Sequence, residues 1–277
     1  MVKYTVCVGD CRDILKTMPN ESVNAIITSP PYYNLRDYNN SNQFGVEKTV
    51  SEYVKNITDV FHEAKRVLRN DGTLWLNIGD SYGKGKQLIG VPWKVAFSLQ
   101  ADGWILRQDI IWHKKNPMPE SVKDRCTRSH EYIFLFSKSR KYYFDNNGIK
   151  EDCILKARQR EKSNGESSED MKKKGRSTCC GSDGIKRNKR DVWSVATASY
   201  HGCHAAVFPP DLIVPCVIAG CPPGGVILDM FGGSGTTAGV AIAMNRSAIL
   251  CELNDYYIDL IPERVDSILN KFGGNNG

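Results

Sequence analysis

Short apolar segments alternate with amphipathic helical ones along most of this chain, and this alternation limits the folds it can adopt. Apolar runs at Tyr4–Gly9, Val23–Thr28, Thr73–Ile78, Val226–Met230 and Ser247–Glu252 predict strands. Helical spacing separates them, most clearly in Val50–Leu68 and Tyr256–Phe272. Strands alternating with helices predict an α/β fold with a mainly parallel sheet, covered by helices on both faces.

The second apolar run ends in an unusual sequence, Thr28-Ser29-Pro30-Pro31-Tyr32. Two adjacent prolines fix their own φ and restrict the preceding residue, so the turn is largely pre-shaped. Ser29 and a proline carbonyl can accept hydrogen bonds from an amino group, and Tyr32 can stack on a planar base. The residues alone leave two interpretations open, a Pro-rich turn or a site for chemistry on an exocyclic amine.

A second motif follows the strand Val226–Leu228. It reads Asp229-Met230-Phe231-Gly232-Gly233-Ser234-Gly235-Thr236 and leads into a helix. Glycines allow close approach of a ligand, and a helix start offers free N–H groups. Glu252 ends the next strand about twenty residues later, a spacing that suits binding of ribose hydroxyls. The pattern predicts a nucleotide-like ligand, but no lysine follows the glycines as in phosphate-binding loops.

Together the two motifs resemble those of the beta group of amino-methylating DNA methyltransferases, which use S-adenosylmethionine. The resemblance covers roughly residues 4–140 and 193–270 by eye. It implies a circularly permuted, Rossmann-like methyltransferase sheet of about seven strands, with Ser29, Pro30, Pro31 and Tyr32 as catalytic residues. Double-stranded DNA is the implied substrate, and the expected location is the cytoplasm of a prokaryote, or of a phage-infected cell, in association with DNA.

The resemblance also assigns a cofactor site. Asp10 matches the acid that accepts from the adenine amino group, and Phe208 lies in the segment His204–Pro209, expected over the methionine end of the cofactor. The remaining residues implied for S-adenosylmethionine lie in the glycine-rich loop and at the next strand end: Asp229, Phe231, Gly233, Ser234, Gly235, Thr236 and Glu252. No metal is expected. Asn77–Tyr82 lie at the next strand end. Trp112–Lys114 through His130–Tyr132 resemble the strands beside the target-base pocket, and Trp112 fits a core position or the pocket wall equally well.

Residues 151–190 interrupt the α/β pattern. They contain twelve Lys and Arg against seven Asp and Glu, and this excess is nearly all of the chain's net charge of +6. Such a segment is typical of a solvated linker, or of a region that becomes ordered on contact with phosphates. We expect residues 1–144 and 196–277 to form the catalytic and cofactor-binding domain, and 145–195 a partly flexible target-recognition region.

Several alternatives stay open. Serine at position 29 favours N4 of cytosine within the family, whereas Asp or Asn is commoner for N6 of adenine. A non-catalytic nucleic-acid-binding module of the same fold is an alternative of another class. Pro215-Cys216 superficially resembles the nucleophile of carbon-5 methylation, but its apolar surroundings favour a buried structural thiol. No membrane-spanning run occurs, and a homodimer and a cognate restriction endonuclease remain open as partners.

Overall fold

A computed structural model describes residues 2–37, 40, 42–152, 186–197 and 208–273 of the 277-residue chain. The chain divides into two compact units, one formed by residues 1–144 and 191–277 and the other by 145–190. In the second unit, two short strands, β6 (Glu151–Asp152) and β7 (Lys186–Arg187), pair antiparallel. Glu151 also accepts hydrogen bonds there from Arg187 (2.9 Å) and Arg190 (2.7 Å).

The first unit contains one eight-stranded sheet. Its strands, in chain order, are β1 (Tyr4–Val8), β2 (Val23–Thr28), β3 (Leu68–Ile78), β4 (Ile105–Lys114), β5 (His130–Ser137), β8 (Val192–Val195), β9 (Val226–Asp229) and β10 (Ser247–Glu252). Their order across the sheet is β1-β10-β9-β2-β3-β5-β4-β8. Only β5 runs antiparallel to its neighbours, so the predicted mainly parallel α/β sheet is confirmed.

The helices of this unit span Cys11–Thr17, Val50–Val67, Val91–Ala101, Pro210–Gly220, Thr236–Ala243 and Asp255–Gly273, with a short 3₁₀ turn at Lys84–Lys86. Helix Val50–Val67 begins with a capping box between Thr49 and Glu52. Its predicted apolar face is buried, and Tyr53, Ile57 and Phe61 are each 0% exposed. Trp75 and Trp104 are buried in the core.

One element boundary was predicted wrongly. The sequence predicts a turn at Asp71-Gly72 and a strand from Thr73, whereas β3 begins at Leu68. Leu68 pairs with Val23, and the next pair is Ala25 with Thr73, so the intervening residues bulge within the strand. The turn-forming residues are therefore absorbed as an irregularity, because pairing with β2 continues on both sides of it.

Two further features bear on function. Val192–Val195, which lies within the predicted recognition region, pairs parallel with β4 at the edge of the sheet. Among the described residues, no helix is both long and apolar enough to cross a membrane.

Candidate functional site

A cavity of about 750 Å³ opens where the parallel strands end. Strands β1, β10, β9 and β2 all run in one direction, so their carboxyl ends meet at one edge of the sheet, the usual position of ligand sites in open α/β sheets. Nearly all predicted site residues line this cavity: Asp10, Ser29, Pro30, Pro31, Tyr32, Phe208, Asp229, Phe231, Gly233, Ser234, Thr236 and Glu252. Gly235 lies beside it as the N-cap of helix Thr236–Ala243, and His204–Val207 lie outside the described residues.

Asp229 joins the two predicted motifs. Its Oδ1 accepts a hydrogen bond from Thr28 Oγ1 (2.6 Å), at the end of β2, and another from the Phe231 N–H (3.1 Å). Its Oδ2 accepts from Thr237 Oγ1 (2.5 Å). Burial raises the pKa of the Asp229 carboxyl despite these donors. Both oxygens are engaged within the protein, so Asp229 fixes the Ser29–Tyr32 loop relative to the glycine-rich loop.

Tyr32 is held by its hydroxyl. The hydroxyl donates to Glu131 Oε2 (2.6 Å) on β5 and lies 3.3 Å from Asn77 Oδ1 on β3. Ser29 Oγ approaches the same hydroxyl at 3.4 Å. Lys114 on β4 pairs with the other oxygen of Glu131 (2.5 Å) and lies over the Trp112 ring. Three strands thus contribute one polar network to one wall of the cavity.

The backbone around Tyr32 is also fixed. A Cβ placed on Gly79 would lie 2.6 Å from Tyr32 Cε2, so one side of the ring packs directly on this glycine. The Pro31 carbonyl accepts from the Tyr53 hydroxyl (2.9 Å). This hydrogen bond holds the backbone of the loop in place, and the neighbouring Pro30 also lines the cavity.

The glycine-rich loop is shaped by its backbone. Gly233 and Gly235 have φ of 50° and 86°, values in the left-handed region that glycine adopts without strain. Gly232 N–H donates to the Cys251 carbonyl (2.8 Å), which fastens the loop to β10. The turn thus brings the start of helix Thr236–Ala243 to the cavity wall.

The polar groups of this loop fit a nucleoside-like ligand with a charged tail. Glu252 accepts from the Gly233 N–H (2.6 Å) and the Asn254 N–H (2.8 Å), and a carboxylate with about four acceptor sites keeps capacity for a ligand hydroxyl. Burial raises the pKa of the Glu252 carboxyl. Within the described part of the chain, the buried Ser234 hydroxyl has no hydrogen-bond partner although Ser234 lines the cavity. A ligand with polar groups would satisfy it.

Asp10 has a partner that the sequence did not indicate. The Arg12 side chain contacts both oxygens of Asp10, with Nε at 2.9 and 3.0 Å, and lies 5.0 Å from the centre of the Phe44 ring. Burial would raise the pKa of the Asp10 carboxyl, but the hydrogen bonds from Arg12 outweigh it and lower that pKa. Phe44 in turn packs edge-on against Phe231 (5.7 Å). Asp10, Phe44 and Phe231 thus form an aromatic and charged part of the cavity wall.

The structure also bears on two interpretations made from the sequence, those of Trp112 and Cys216. Trp112 is both core and wall, since it is 4% exposed, lines the cavity and donates to the Val195 carbonyl (2.9 Å). Cys216 is buried within helix Pro210–Gly220, consistent with a structural thiol.

Sequence reasoning missed the contacts among distant side chains. Arg12, Phe44 and Tyr53 carry no local signal, because each looks like an ordinary residue of a helix or loop. Thr28 belongs to the first motif, but its hydrogen bond to Asp229 joins residues that lie 201 positions apart in the sequence. Only the fold reveals such pairs.

Comparison with known proteins gives consistent matches. A family model described as "DNA methylase" matches residues 23–263. The Type II methyltransferase M.SmaI of Serratia marcescens is 43% identical over 94% of this chain and 90% of that protein. The Type II methyltransferase M.Cfr9I of Citrobacter freundii is 40% identical over 94% of this chain and 87% of that protein.

Solved structures match the fold. One titled PvuII DNA methyltransferase (cytosine-N4-specific) has a TM-score of 0.71 at 19% identity, covering 100% of this chain and 94% of that one. A putative DNA modification methylase of Thermus thermophilus, complexed with S-adenosyl-L-methionine, has a TM-score of 0.64 at 24% identity, covering 97% and 96%.

Proposed function

The chain belongs to the DNA methylase family whose model it matches, and we propose that it methylates the exocyclic N4 of a flipped cytosine in duplex DNA. The family is the one that the sequence resemblance predicted, so that prediction is confirmed, and with it DNA methyltransferase activity that uses S-adenosylmethionine. The convergence of the Ser29–Tyr32 loop and the glycine-rich loop on one cavity supports transfer of the methyl group to an exocyclic amine, and Ser29 carries the choice of cytosine.

S-adenosylmethionine supplies an activated methyl group on a sulfonium. In our proposal Glu252 binds its ribose, Phe231 contacts its base, and Asp10 accepts from its adenine amino group. The unpartnered Ser234 hydroxyl and the start of helix Thr236–Ala243 suit the charged end of the cofactor. Asp229 acts indirectly, by holding the loop that makes these contacts.

The target amine is a poor nucleophile because its lone pair is delocalised into the ring. We propose that Ser29 Oγ and the Pro30 carbonyl accept its two protons, which makes the nitrogen more tetrahedral. Tyr32 stacks on the base, and its ring is already immobilised by Gly79 and Glu131. Positioning of the nitrogen in line with the methyl group then supplies much of the rate.

Access to this cavity requires the base to leave the duplex. The excess of positive charge in residues 151–190 suits contact with phosphates, and we assign 145–195 to target recognition. The relatives' names place them in Type II systems, so a cognate restriction endonuclease is a proposed partner of this chain. A homodimer remains a prediction.

Methylation of N6 of adenine is the second candidate, since a serine can also accept from an adenine amino group. The preference for cytosine depends on Ser29. The neighbour titled cytosine-N4-specific shares the fold, and a shared fold does not choose the base.

The deciding experiment is methylation of mixed-sequence duplex DNA, followed by nucleoside mass analysis. We expect N4-methylcytosine from the unaltered protein and none from Ser29→Ala. Ser22→Ala, at the opposite end of the same strand, is the matched control and should retain the product. N6-methyladenine would overturn the choice of base. Cofactor binding without any methylated product would support a non-catalytic module.

A further inference from the structure

The hydrogen bonds around Tyr32 form a directed chain. Ser29 Oγ donates to the Tyr32 hydroxyl (3.4 Å), and the Tyr32 hydroxyl donates to Glu131 Oε2 (2.6 Å). The chain begins at the side chain proposed to touch the substrate amine and ends on a carboxylate. Its first link is long for a hydrogen bond between hydroxyls, and so it is the link that must shorten during reaction.

Glu131, at the end of this hydrogen-bond chain, is surrounded by three elements of the fold. Glu131, at the start of β5, is faced by Tyr32 from the catalytic loop, by Asn77 from β3 and by Lys114 from β4. Asn77 Nδ2 donates to the same Oε2 (3.2 Å), and Lys114 Nζ occupies Oε1 (2.5 Å). The carboxylate side chain is 12% exposed and that of Lys114 23%, so the pair is accessible to water at its edge only.

Tyr32 is suited to pass a proton and unsuited to keep a charge. Burial, and then the nearby negative charge of Glu131, raise the pKa of the Tyr32 hydroxyl well above its usual value. The hydroxyl therefore stays protonated at neutral pH, with one hydrogen to give and lone pairs to receive another. A stacking platform alone would need neither a buried hydroxyl nor a carboxylate behind it.

On the basis of the function proposed above, we propose that Ser29, Tyr32 and Glu131 form a relay that removes the proton released by the methylated amine. A nitrogen–carbon bond forms while the carbon–sulfur bond breaks, and its electron pair goes to sulfur. The nitrogen then gives one proton to Ser29 Oγ, and the Ser29 proton moves to the Tyr32 oxygen. The Tyr32 proton moves to Glu131, which becomes a neutral carboxylic acid beside Lys114 and later releases its proton to water.

The relay explains why a lysine is placed behind the carboxylate. Lys114 Nζ occupies Glu131 Oε1, which leaves Oε2 to receive the Tyr32 proton. After transfer, the partly exposed edge of the pair gives the proton a route to water, which resets the site. Ser29 is the catalytic member that touches substrate, whereas Glu131 acts through Tyr32.

Two variants test the relay in the full-length chain. Tyr32→Phe keeps the ring against Gly79 but removes the hydroxyl that links Ser29 to Glu131. Glu131→Gln keeps the side-chain volume but removes the carboxylate that accepts the proton. Each should lower the single-turnover rate of methyl transfer about 100-fold. The affinities for S-adenosylmethionine and for cognate DNA should change less than about threefold. Both variants keep the Tyr32 ring and the residues proposed to bind the cofactor. Glu63→Gln, in a helix-surface pair with Arg66, is the matched control and should retain the parent rate.

A solvent deuterium isotope effect separates a relay from a merely structural role. The single-turnover rate of the parent should be lower in D₂O because protons move along the relay, whereas the residual rate of Glu131→Gln should lack this effect. If one variant fails to fold, the other still decides the question. Parent rates in both variants, or an unchanged isotope effect in Glu131→Gln, would overturn the relay and leave the proposed function standing. Absence of methylated bases with the unaltered protein would overturn both.

Discussion

The two walls of the cavity are built in different ways. The cofactor wall comes from one continuous stretch, Asp229–Thr236, and from Glu252 at the end of the neighbouring strand. The base wall joins side chains from three strands and a loop, and its central bond, Tyr32 to Glu131, spans 99 residues. A local motif thus shapes one ligand surface through its backbone, whereas tertiary contacts between side chains shape the other.

This difference predicts that substitutions in the two walls affect different properties of the protein. Damage to the cofactor wall should appear as lost stability and lost cofactor affinity, because a side chain added to its glycines would strain the backbone itself. Damage to the base wall should appear as lost turnover with cofactor affinity retained.

The largest effect is expected for Gly235→Ala. Its φ is 86°, and its new Cβ would lie 2.8 Å from Ile261 Cγ2. Left-handed strain and overpacking together should cost about 3 kcal/mol of unfolding free energy, measured by urea denaturation, with weaker binding of S-adenosylmethionine by calorimetry. Gly224→Ala is the control, since its φ is 76° but nothing lies within 4 Å. Equal losses in the two variants would show that the Ile261 contact is unimportant.

An intermediate effect is expected for Gly79→Ala on the base wall. Its Cβ would lie 2.6 Å from the Tyr32 ring and would displace it. We expect kcat to fall about tenfold, since misplacement of a positioning group is costly, while cofactor affinity stays within about twofold. In Gly83→Ala the nearest atom is Ile89 Cγ1 at 3.4 Å, so kcat should be retained. Cofactor affinity that falls together with kcat would contradict the separation of the two walls.

The smallest effect concerns Asp10, on the cofactor side. Its pKa is lowered in the folded protein, so its pairing with Arg12 stabilises the fold above the unfolded pKa of about 3.9. That stability is lost as the pH falls from there through the lowered folded pKa. Arg12→Ala should therefore lose less stability than the parent between about pH 5 and pH 2, by under about 1 kcal/mol in urea titrations.

Lys55→Ala is the control for this measurement. Lys55 pairs with Asp59 at an exposed site, with side chains 73% and 61% exposed. Removal of the Lys55 side chain should leave the pH dependence of the unfolding free energy unchanged. The Asp10 interpretation would be wrong if both variants followed the parent between these pH values.

Much of the fold could be predicted from the sequence because local periodicity reflects burial. Strand β2 and strand β10 have the predicted bounds, and the apolar face of helix Val50–Val67 is buried as expected. The start of β3 could not be predicted in this way. Leu68 extends the strand only because Val23 lies beside it, and the register of a partner strand is not encoded in neighbouring residues.

The same division holds for the site. Local sequence was sufficient to specify the Ser29–Tyr32 turn and the glycine-rich loop, because proline and glycine act on the backbone where they stand. The folded chain was needed to show that Asp229 accepts a hydrogen bond from Thr28, that Arg12 lies over Phe44, and that Glu131 accepts a hydrogen bond from the Tyr32 hydroxyl. These contacts arise where strand ends from distant parts of the chain meet, and buried polar groups there must find partners across the sheet.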